Sequence, residues 1–258
     1  MNIFKRILIK VKYLGIRKIY YSLLFFLDFI LSKFSDLDII NSGSYYQSLI
    51  KRNQSKKLIE FYEGNSGHNL NYKQYFLGFG LLHYSLLRNV KPLNILCIGS
   101  KKGFIPAILA LGCKDNNYGH VDFVDAGYDQ NQHDKHWSGI GFWKNNESKK
   151  HFDKIGISKY ITTHVMTTQE YFNNNRKKKY QYIYVDGDHS YNGVKLDYSL
   201  FWPNLEKNGL IIFHDIVADG YLDEGKFGVK KFWKEIAKKN SLIFPFPKDS
   251  GLGIIQKK

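Results

Sequence analysis

YQYIYVDGDHSYNGVKLDY, residues 180–198, places three polar side chains directly after a short apolar run. The run YQYIYV is continuous rather than alternating, which is typical of a strand that is covered on both faces of a sheet. Asp186, Asp188 and His189 follow it, and then the apolar residues adopt helical spacing. Ligands of open parallel sheets bind beyond the carboxyl ends of the strands. The stretch therefore predicts a buried strand that ends at a binding site.

The same pattern of strands and helices extends over residues 91–258. Short apolar runs alternate with segments of helical spacing, which favours a parallel sheet with helices on both faces. We therefore predict an α/β domain with a doubly wound, mostly parallel Rossmann-like sheet. The strands are expected at 93–99, 120–127, 160–166, 180–187, 209–215 and 250–256, and the helices at 104–112, around 148–156, at 167–172 and at 194–205.

The N-terminal part of the chain has a different composition. Residues 1–40 are basic and apolar, and residues 41–90 are a mixed lead-in that is expected to be helical, with an apolar helix at 76–87. The apolar part of the first segment is shorter than the roughly 20 residues of a membrane span, and Asp28 interrupts it. Two interpretations stay open: helices that pack on the main domain, or a basic amphipathic element, residues 1–35, that lies on a membrane surface.

The composition of the chain limits the possible partners and compartments. The chain has 258 residues, a net charge of +15 and 43% hydrophobic residues, so it is long enough to bury a large core. Its lysines are scattered and no nucleic-acid reader motif is visible, so no nucleic-acid partner is expected. The two cysteines, Cys97 and Cys113, do not make a disulfide framework, which favours the cytoplasm, with the inner face of the membrane as an alternative. The sequence leaves a homo-oligomer open.

A glycine-containing turn follows the first predicted strand. Gly99, Ser100 and Gly103 lie in the sequence IGSKKGF. Glycine lets the backbone approach a ligand closely, and the start of a helix directs amide groups at that ligand. Asp125 ends the second strand, 26 residues after Gly99 (125 − 99), and an acid at this place commonly binds a ribose diol. The turn and the acid together predict a cofactor that contains ribose.

Acidic side chains also follow two strands that are expected to be neighbours. Asp186 and Asp188 come after the fourth strand, and His214 and Asp215 end the fifth. Converging carboxylates repel one another unless a cation lies between them, and oxygen ligands suit Mg²⁺, Mn²⁺ or Ca²⁺ better than zinc. His189 has a side chain whose unperturbed pKa, about 6.5, suits a general base. The alternative is that the acids are helix caps, with Asp188 capping the following helix.

The segment 129–146 combines Trp137, Phe142 and Trp143 with glycines after the second strand. Aromatic rings in a polar loop favour a lid that covers the site and stacks on a sugar ring. Core packing of Trp143 is an equally good interpretation.

Residues 94–256 resemble class I S-adenosylmethionine-dependent methyltransferases. The most specific part is YIYVDGDHSYNGVKLDYSLFWPNLEKNGLIIFHDI, residues 182–216. The likeness is greatest to sugar O-methyltransferases of the macrocin and mycinamicin type and to cephalosporin-hydroxylase-like proteins. It implies an enzyme that uses S-adenosylmethionine to methylate a hydroxyl of a sugar, as a small-molecule or glycan acceptor. In the metal-dependent members a divalent ion, Mg²⁺ or Mn²⁺, takes part.

The resemblance also implies roles for individual residues. The cofactor would contact the glycine turn, the ends of the next two strands and the first acid of the fourth strand: Gly99, Ser100, Gly103, Asp125, Met166, Thr167 and Asp186. A metal would be held by Asp186, His214 and Asp215. His189 would accept the proton of the hydroxyl, with Asp188 as a rival base or a further ligand.

Three features depart from the pattern of that family. Lys101 and Lys102 stand where a further glycine is usual, and Cys97 replaces an acid that helps to hold the amino group of the cofactor. His214 stands where an acid is common at the second metal position. Cys97 and the lysine pair keep a second interpretation open, in which the chain retains the fold without catalysis. Its basic surface would then bind an anionic glycan, a lipid or a protein partner.

Overall fold

The structure, a computed structural model, describes residues 58, 61–62, 77, 79–128, 141–217, 228–237, 242–244 and 251–258. The predicted N-terminal segment 1–40 lies outside these residues, as does most of the lead-in 41–90. Both interpretations of residues 1–35 therefore stay predictions. The loop residues 129–140, including Trp137, also lie outside the described part of the chain.

Seven strands of the described residues form one sheet: β1 Asn94–Ile98, β2 His120–Asp125, β3 Ile161–Val165, β4 Tyr180–Val185, β5 Leu205–His214, β6 Leu242–Phe244 and β7 Leu252–Gln256. The α-helices of the same residues are α1 Phe79–Val90, α2 Phe104–Asn116, α3 Thr168–Asn174, α4 Tyr191–Phe201 and α5 Val229–Ile236. Among them none has both the length and the apolar character needed to cross a membrane. The spatial order of the strands is β3-β2-β1-β4-β5-β7-β6. Strands β1 to β5 are parallel and β7 is antiparallel to both its neighbours, so the predicted, mostly parallel α/β sheet is confirmed.

The strand order reverses at the centre of the sheet, between β1 and β4. Ile98 at the end of β1 is paired with Val124 of β2 on one side and with Val185 of β4 on the other. A reversal of this kind opens a crevice beyond the carboxyl ends of the strands, which is the usual ligand site of such sheets. The turns that begin at Gly99 and Asp186 therefore lie side by side at that crevice.

Strand β4 is buried on both faces, as its continuous apolar run predicts. On one face, Tyr182 shares a 2.6 Å hydrogen bond with Nδ1 of His83 in α1, and the ring of Tyr184 packs edge-on against the same histidine. On the other face, Ile183 and Val185 belong to a core cluster that includes residues of α4 and α5. Buried phenols need hydrogen-bond partners, so the position of α1 is tied to this strand.

The predicted helix around 148–156 is wrong. The chain instead makes three short 3-10 turns, Asn146–Lys150, Asp153–Ile155 and Ser158–Tyr160. Gly156 ends the second of them with a φ of 71°. His151 and Phe152 are buried with their rings 5.0 Å apart. Consecutive buried rings fix this segment, and that arrangement does not require the 3.6-residue spacing of an α-helix.

One strand differs from its predicted bounds by more than two residues, and another was not predicted. β5 begins at Leu205 rather than at residue 209, because its register against β4 shifts between Tyr180 and Tyr182. Asn208 adopts a φ of 66° within the irregular part, as expected of a bulge that precedes a regular ladder. β6 was not predicted, because its three residues are too few to show an alternating pattern.

Candidate functional site

The turn between β1 and α2 has a left-handed backbone, which its glycines predict. Gly99 and Gly103 have φ values of 68° and 87°, and Lys101 between them has a φ of 41°. A methyl group at Gly99 would lie 2.3 Å from the carbonyl oxygen of Asp186, so only glycine fits there. Cys97 is buried, and its thiol donates to the Gly99 carbonyl at 3.8 Å. The turn therefore contacts the end of β4 directly.

Asp125 ends β2 beside this turn, as predicted. Its Oδ1 accepts a 2.8 Å hydrogen bond from the amide of Gly127. Burial raises the pKa of Asp125 to about 6, although the backbone amides of Gly127 and Ser100 act in the opposite direction. The charge of Asp186 adds to the rise. A partly buried carboxylate at this strand end is in a suitable place to accept hydrogen bonds from ribose hydroxyls.

Four side chains meet at the carboxyl ends of β4 and β5, and we call them the acid–histidine cluster: Asp186, His189, His214 and Asp215. Asp186 Oδ1 lies 3.1 Å from His189 Nε2 and 3.2 Å from His214 Nδ1. Asp215 lies opposite, with Oδ1 3.0 Å from His214 Nδ1 and Oδ2 3.4 Å from His189 Nε2. Asp215 also has a φ of 62°, a backbone conformation that non-glycine residues adopt mainly where function or packing imposes it. The structure thus brings together four of the five residues that the sequence placed at these strand ends.

Mutual charge explains why two carboxylates can lie so close together. Burial alone would raise the pKa of Asp186, but His214 and His189 hold it below its usual value. Burial would likewise lower the pKa of His214, but Asp186 and Asp215 raise it to about 10. The same carboxylates outweigh burial and raise the pKa of His189. A protonated His214 offsets part of the charge of the two carboxylates, which makes their joint burial tolerable.

The acid–histidine cluster also has a donor set that suits a divalent cation. Ligand atoms of Asp186, His189 and Asp215 all lie within 4.8 Å of one another. Opposite ligands of a six-coordinate ion with bonds of about 2.0–2.1 Å lie roughly 4.2 Å apart, so small side-chain movements bring these atoms into range. His214 Nδ1, 3.0 Å and 3.2 Å from the carboxylates, is a further nitrogen donor. The residues therefore fit an ion when the imidazoles are neutral.

Buried neighbours hold the cluster in place. The hydroxyl of Tyr184 donates to Oδ2 of Asp186 at 3.1 Å, so Oδ1 is the oxygen that faces the histidines. The amide of Asp186 donates to the carbonyl of Ile98 at 2.9 Å, which ties the cluster to β1. Phe79 of α1 packs its ring edge-on against His214, with the ring centres 5.8 Å apart. The cluster is thus supported by the sheet and by α1.

Asp188 does not belong to this cluster. Its side chain is exposed, and its Oδ1 accepts a 2.8 Å hydrogen bond from the amide of Ser190. The cap of α4 is Ser190 itself, whose Oγ accepts from the amide of Gly193 at 3.0 Å. The expectation that Asp188 converges with the other carboxylates and the alternative that it caps the helix are both wrong, because its carboxylate folds back onto its own turn.

Met166 and Thr167 follow β3, next to the end of β2. The amide of Met166 donates to the carbonyl of Asp125 at 3.1 Å, and its side chain packs against the core. Thr167 caps α3, since its Oγ1 accepts from the amide of Glu170 while the Glu170 carboxylate accepts from the amide of Thr167. Both residues lie near Asp125, and their predicted contact with adenine stays a prediction.

Asp197 is a buried acid that the sequence analysis missed. It is 3% exposed, and its Oδ2 lies 3.3 Å from where a methyl group on Gly187 would stand. Burial raises the pKa of Asp197 to about 7, although a hydrogen bond from Thr168 acts against the rise. A signal was present in the sequence, because Val194, Asp197 and Phe201 share the buried face of α4 at the spacing i, i+3, i+7.

Trp143 is packed in the core and does not form a lid. It is 4% exposed and stacks on Phe152 with the ring centres 5.5 Å apart. Its Nε1 donates to the carbonyl of Lys101 at 2.8 Å. Of the two interpretations of this residue, core packing is correct, and the indole holds the turn after β1 from outside.

Comparison with known proteins agrees with this architecture. Residues 96–216 match the model of the protein family Methyltransf_24, which is described as a methyltransferase domain. A candidate caffeoyl-CoA O-methyltransferase from Staphylococcus aureus has a similar structure, with a TM-score of 0.58. The two sequences are 19% identical, and the match covers 84% of this chain and 99% of that one. The fold is that of a class I methyltransferase. The family match and the fold both show that this part of the chain is similar to methyltransferase domains.

Further relatives extend this comparison. An O-methyltransferase from Bacillus cereus in complex with S-adenosylhomocysteine (SAH) has a TM-score of 0.56 and 15% identity, over 84% of this chain and 96% of that one. TomG from Streptomyces achromogenes, an O-methyltransferase of tomaymycin synthesis in complex with S-adenosylmethionine (SAM), has a TM-score of 0.56 and 13% identity with the same coverage. Among curated proteins, the uncharacterized protein y4gI of Sinorhizobium fredii is 36% identical over 74 residues. Those residues are 28% of this chain and 8% of y4gI, so the match spans only a small part of that relative.

Proposed function

We propose that this methyltransferase domain transfers the methyl group of SAM to a hydroxyl oxygen. The observation that carries the proposal is the contact between the glycine turn and the acid–histidine cluster, at Gly99 and Asp186. A cofactor on that turn would have its reactive end beside groups that can orient and deprotonate a hydroxyl. The relatives solved with SAH and with SAM support this choice of cofactor.

The chemistry demands little beyond alignment and proton removal. The methyl carbon of SAM is already electrophilic, so a bond forms from the acceptor oxygen to that carbon while the sulfur–carbon bond breaks and SAH leaves. The hydroxyl must lie in line with the breaking bond and lose its proton. His189 is our candidate for the base, because its Nε2 lies between the carboxylates of Asp186 and Asp215. Those two carboxylates stabilise the imidazolium that forms.

A divalent ion at the acid–histidine cluster is part of the same proposal. Asp186, His214 and Asp215 would hold Mg²⁺ or Mn²⁺, with the imidazole nitrogen favouring Mn²⁺. When bound, such an ion supplies positive charge beside the acceptor oxygen. His214 is the more enclosed of the two imidazoles, with 8% of its side chain exposed against 12% for His189, which suits a ligand rather than a base.

The proposed acceptor is a hydroxyl of a sugar or glycan. The likeness of residues 182–216 to sugar O-methyltransferases supports this class. The Staphylococcus aureus relative is named a caffeoyl-CoA O-methyltransferase, which makes a caffeoyl-type acceptor the alternative. Methyl-transfer assays with radiolabelled SAM against a panel of nucleotide sugars, oligosaccharides and catechols separate the two classes. Labelling of catechols alone would refute the sugar assignment and leave O-methyl transfer intact.

Calorimetric titration with SAH tests the cofactor assignment. We expect saturable binding by the wild-type chain and a loss of at least tenfold in affinity for Asp125→Ala, since the ribose hydroxyls lose a charged acceptor. The variant Asp122→Ala is a matched control, because that carboxylate lies within β2 and pairs with His164 of β3 and with Lys178, away from the crevice. Absence of SAH binding by the folded wild-type chain would favour the non-catalytic interpretation.

A pair of histidine variants tests the two proposed imidazole roles. Mn²⁺ binding, followed by electron paramagnetic resonance, should weaken by at least tenfold in His214→Ala and change little in His189→Ala. Turnover with a working acceptor should fall at least a hundredfold in His189→Ala. The reverse pattern of Mn²⁺ affinities would exchange the two roles, and unaltered turnover in His189→Ala would remove the base assignment.

A further inference from the structure

The turn after β1 contains a lysine in a backbone conformation that suits glycine. Lys101 has a φ of 41°, whereas Lys102 is not among the described residues with positive φ. A Cβ atom makes the left-handed region unfavourable, which is why glycine is the usual residue there. A hydrogen bond within the turn, from the amide of Gly103 to the carbonyl of Ser100, spans Lys101, and contacts from outside the turn add to this support.

Two buried aromatic side chains bind the carbonyl groups of this turn. Trp143 Nε1 donates to the carbonyl of Lys101 at 2.8 Å, and the hydroxyl of Tyr62 donates to the carbonyl of Gly103 at 2.8 Å. Trp143 is 4% exposed and Tyr62 is 2% exposed, so both bonds are shielded from water. Hydrogen bonds that are buried in this way are costly to leave unmade.

A histidine lies beside the second of these bonds. His151 Nε2 lies 3.1 Å from the hydroxyl oxygen of Tyr62. Burial is the main cause that lowers the pKa of His151 to about 4, and the charge of Lys154 adds to the fall. A hydrogen bond with the backbone of Lys102 opposes it. The ring is therefore neutral at pH 7. The Tyr62 hydroxyl therefore lies between two polar groups, the carbonyl of Gly103 and the neutral imidazole of His151.

Ring packing leaves the turn little room to relax. A methyl group on Gly103 would lie 2.8 Å from the indole of Trp143. The indole itself stacks on Phe152, and the ring of Tyr62 packs edge-on against Phe104 at the start of α2. The side chain of Lys101 is exposed and takes no part in this packing. Only its carbonyl is held.

We propose that Trp143 and Tyr62 are positioning residues that hold the Gly99–Gly103 turn in its binding conformation, in place of a glycine at position 101. This inference rests on the proposed function, which places SAM on that turn. The two aromatic residues act through the backbone and do not touch the cofactor themselves. Lys101 is then compatible with cofactor binding, because its unfavourable φ is offset by hydrogen bonds from outside.

A double-mutant cycle tests the inference through SAH affinity. Trp143→Phe removes the indole donor and keeps an aromatic ring, and we expect it to weaken SAH binding about fivefold, the value of one buried hydrogen bond. In combination with Lys101→Gly the same loss should shrink to about twofold or less, since glycine adopts the left-handed conformation unaided. Lys101→Ala is the matched control: it removes the same charge but keeps the Cβ atom, so it should give no rescue.

Tyr62→Phe provides a second cycle that changes the fold less, because only a hydroxyl group is lost. Hydrogen exchange of the amides of residues 100–104 in the ligand-free protein measures the same coupling without SAH. Faster exchange in Trp143→Phe and Tyr62→Phe, restored by Lys101→Gly and not by Lys101→Ala, supports the inference. A general loss of stability would lower the melting temperature equally in all three backgrounds and give no such pattern.

The outcomes separate this inference from the proposed function. If wild-type protein binds SAH and the losses are equal with and without Lys101→Gly, the positioning role is refuted and the cofactor assignment stands. If the folded wild type does not bind SAH, the cofactor assignment fails. The exchange measurement then decides by itself whether Trp143 and Tyr62 hold the turn, and unchanged exchange in both variants would refute that.

Discussion

Replacement of Asp197 by asparagine should make the protein more stable at alkaline pH and leave its stability in acid nearly unchanged. Asp197 lies on the buried face of α4, where it accepts a hydrogen bond from Thr168. Burial is the largest cause of its raised pKa, the charge of Asp188 adds to the rise and His189 opposes it. Asparagine has nearly the same volume and keeps an oxygen that can accept the bond from Thr168.

The magnitude follows from the pKa of Asp197 in the two states. A rise from the ordinary value of 3.8 to about 7 corresponds to about 4 kcal/mol, at roughly 1.36 kcal/mol for each pH unit. The folded state binds this proton more tightly than the unfolded chain, so the stability of the wild type falls as the pH rises from 4 to 7. The free energy of unfolding of Asp197→Asn at pH 8 should therefore exceed that of the wild type by at most about 4 kcal/mol. We expect an increase of about 2 kcal/mol, because a buried carboxamide also needs hydrogen-bond partners.

Urea denaturation at pH 4, 6 and 8 measures this difference in the free energy of unfolding. The gain in Asp197→Asn should grow with pH over that range and then level off. Asp122→Asn is a control of opposite sign: burial would raise the pKa of Asp122, but His164 and Lys178 hold it below its usual value, so this variant should lose stability at pH 6 and pH 8. A difference between Asp197→Asn and wild type that does not vary with pH would refute the reasoning about Asp197.

Three further predictions concern the crevice and the far edge of the sheet. SAH affinity of the wild type should fall as the pH drops below about 6, where Asp125 becomes protonated. Asp125→Asn should bind SAH at least tenfold more weakly at pH 8 and show no such pH dependence. Equal pH profiles of the two proteins in calorimetry would contradict this. Gly99→Ala should destabilise the fold by about 2–4 kcal/mol in urea and abolish SAH binding, because its methyl group meets the carbonyl of Asp186 at 2.3 Å at a positive φ. Gly253→Ala, whose methyl group meets Trp233 at 2.5 Å, should cost about 1–3 kcal/mol and spare SAH affinity; a comparable loss of affinity would show that the effect of Gly99→Ala is not local.

The fold could be predicted because its central strands carry strong local signals. YQYIYV and LIIF are continuous apolar runs, which are typical of strands in a parallel sheet that is covered on both faces. The segment 141–160 could not be predicted in the same way, because its structure depends on contacts between rings that lie far apart in sequence. Phe152 packs on Phe123 of β2, 29 residues earlier (152 − 123). No periodicity within the segment records that contact.

The site was predictable where topology alone brings residues together. Asp186 and Asp215 end neighbouring parallel strands, so their convergence follows from the sheet. Asp188 is two residues from Asp186 and nevertheless faces solvent, because a loop carries no period that fixes the direction of its side chains. Asp197 was missed for a different reason: an acid in a mixed helix is usually solvated, and only the burial of Val194 on the same face shows otherwise.

Lys101 shows why a departure from a sequence pattern is weak support for loss of function. The pattern records residue types, and a lysine in place of glycine suggests a turn that cannot form. What the turn requires is a φ near 41° together with a partner for its carbonyl group, and Trp143 supplies that partner from 42 residues away in the sequence. The indole of Trp143 makes this hydrogen bond only when the turn has this conformation. The turn in turn loses part of its support when the indole is removed. The lysine at position 101 is therefore no argument by itself against a turn that binds a cofactor.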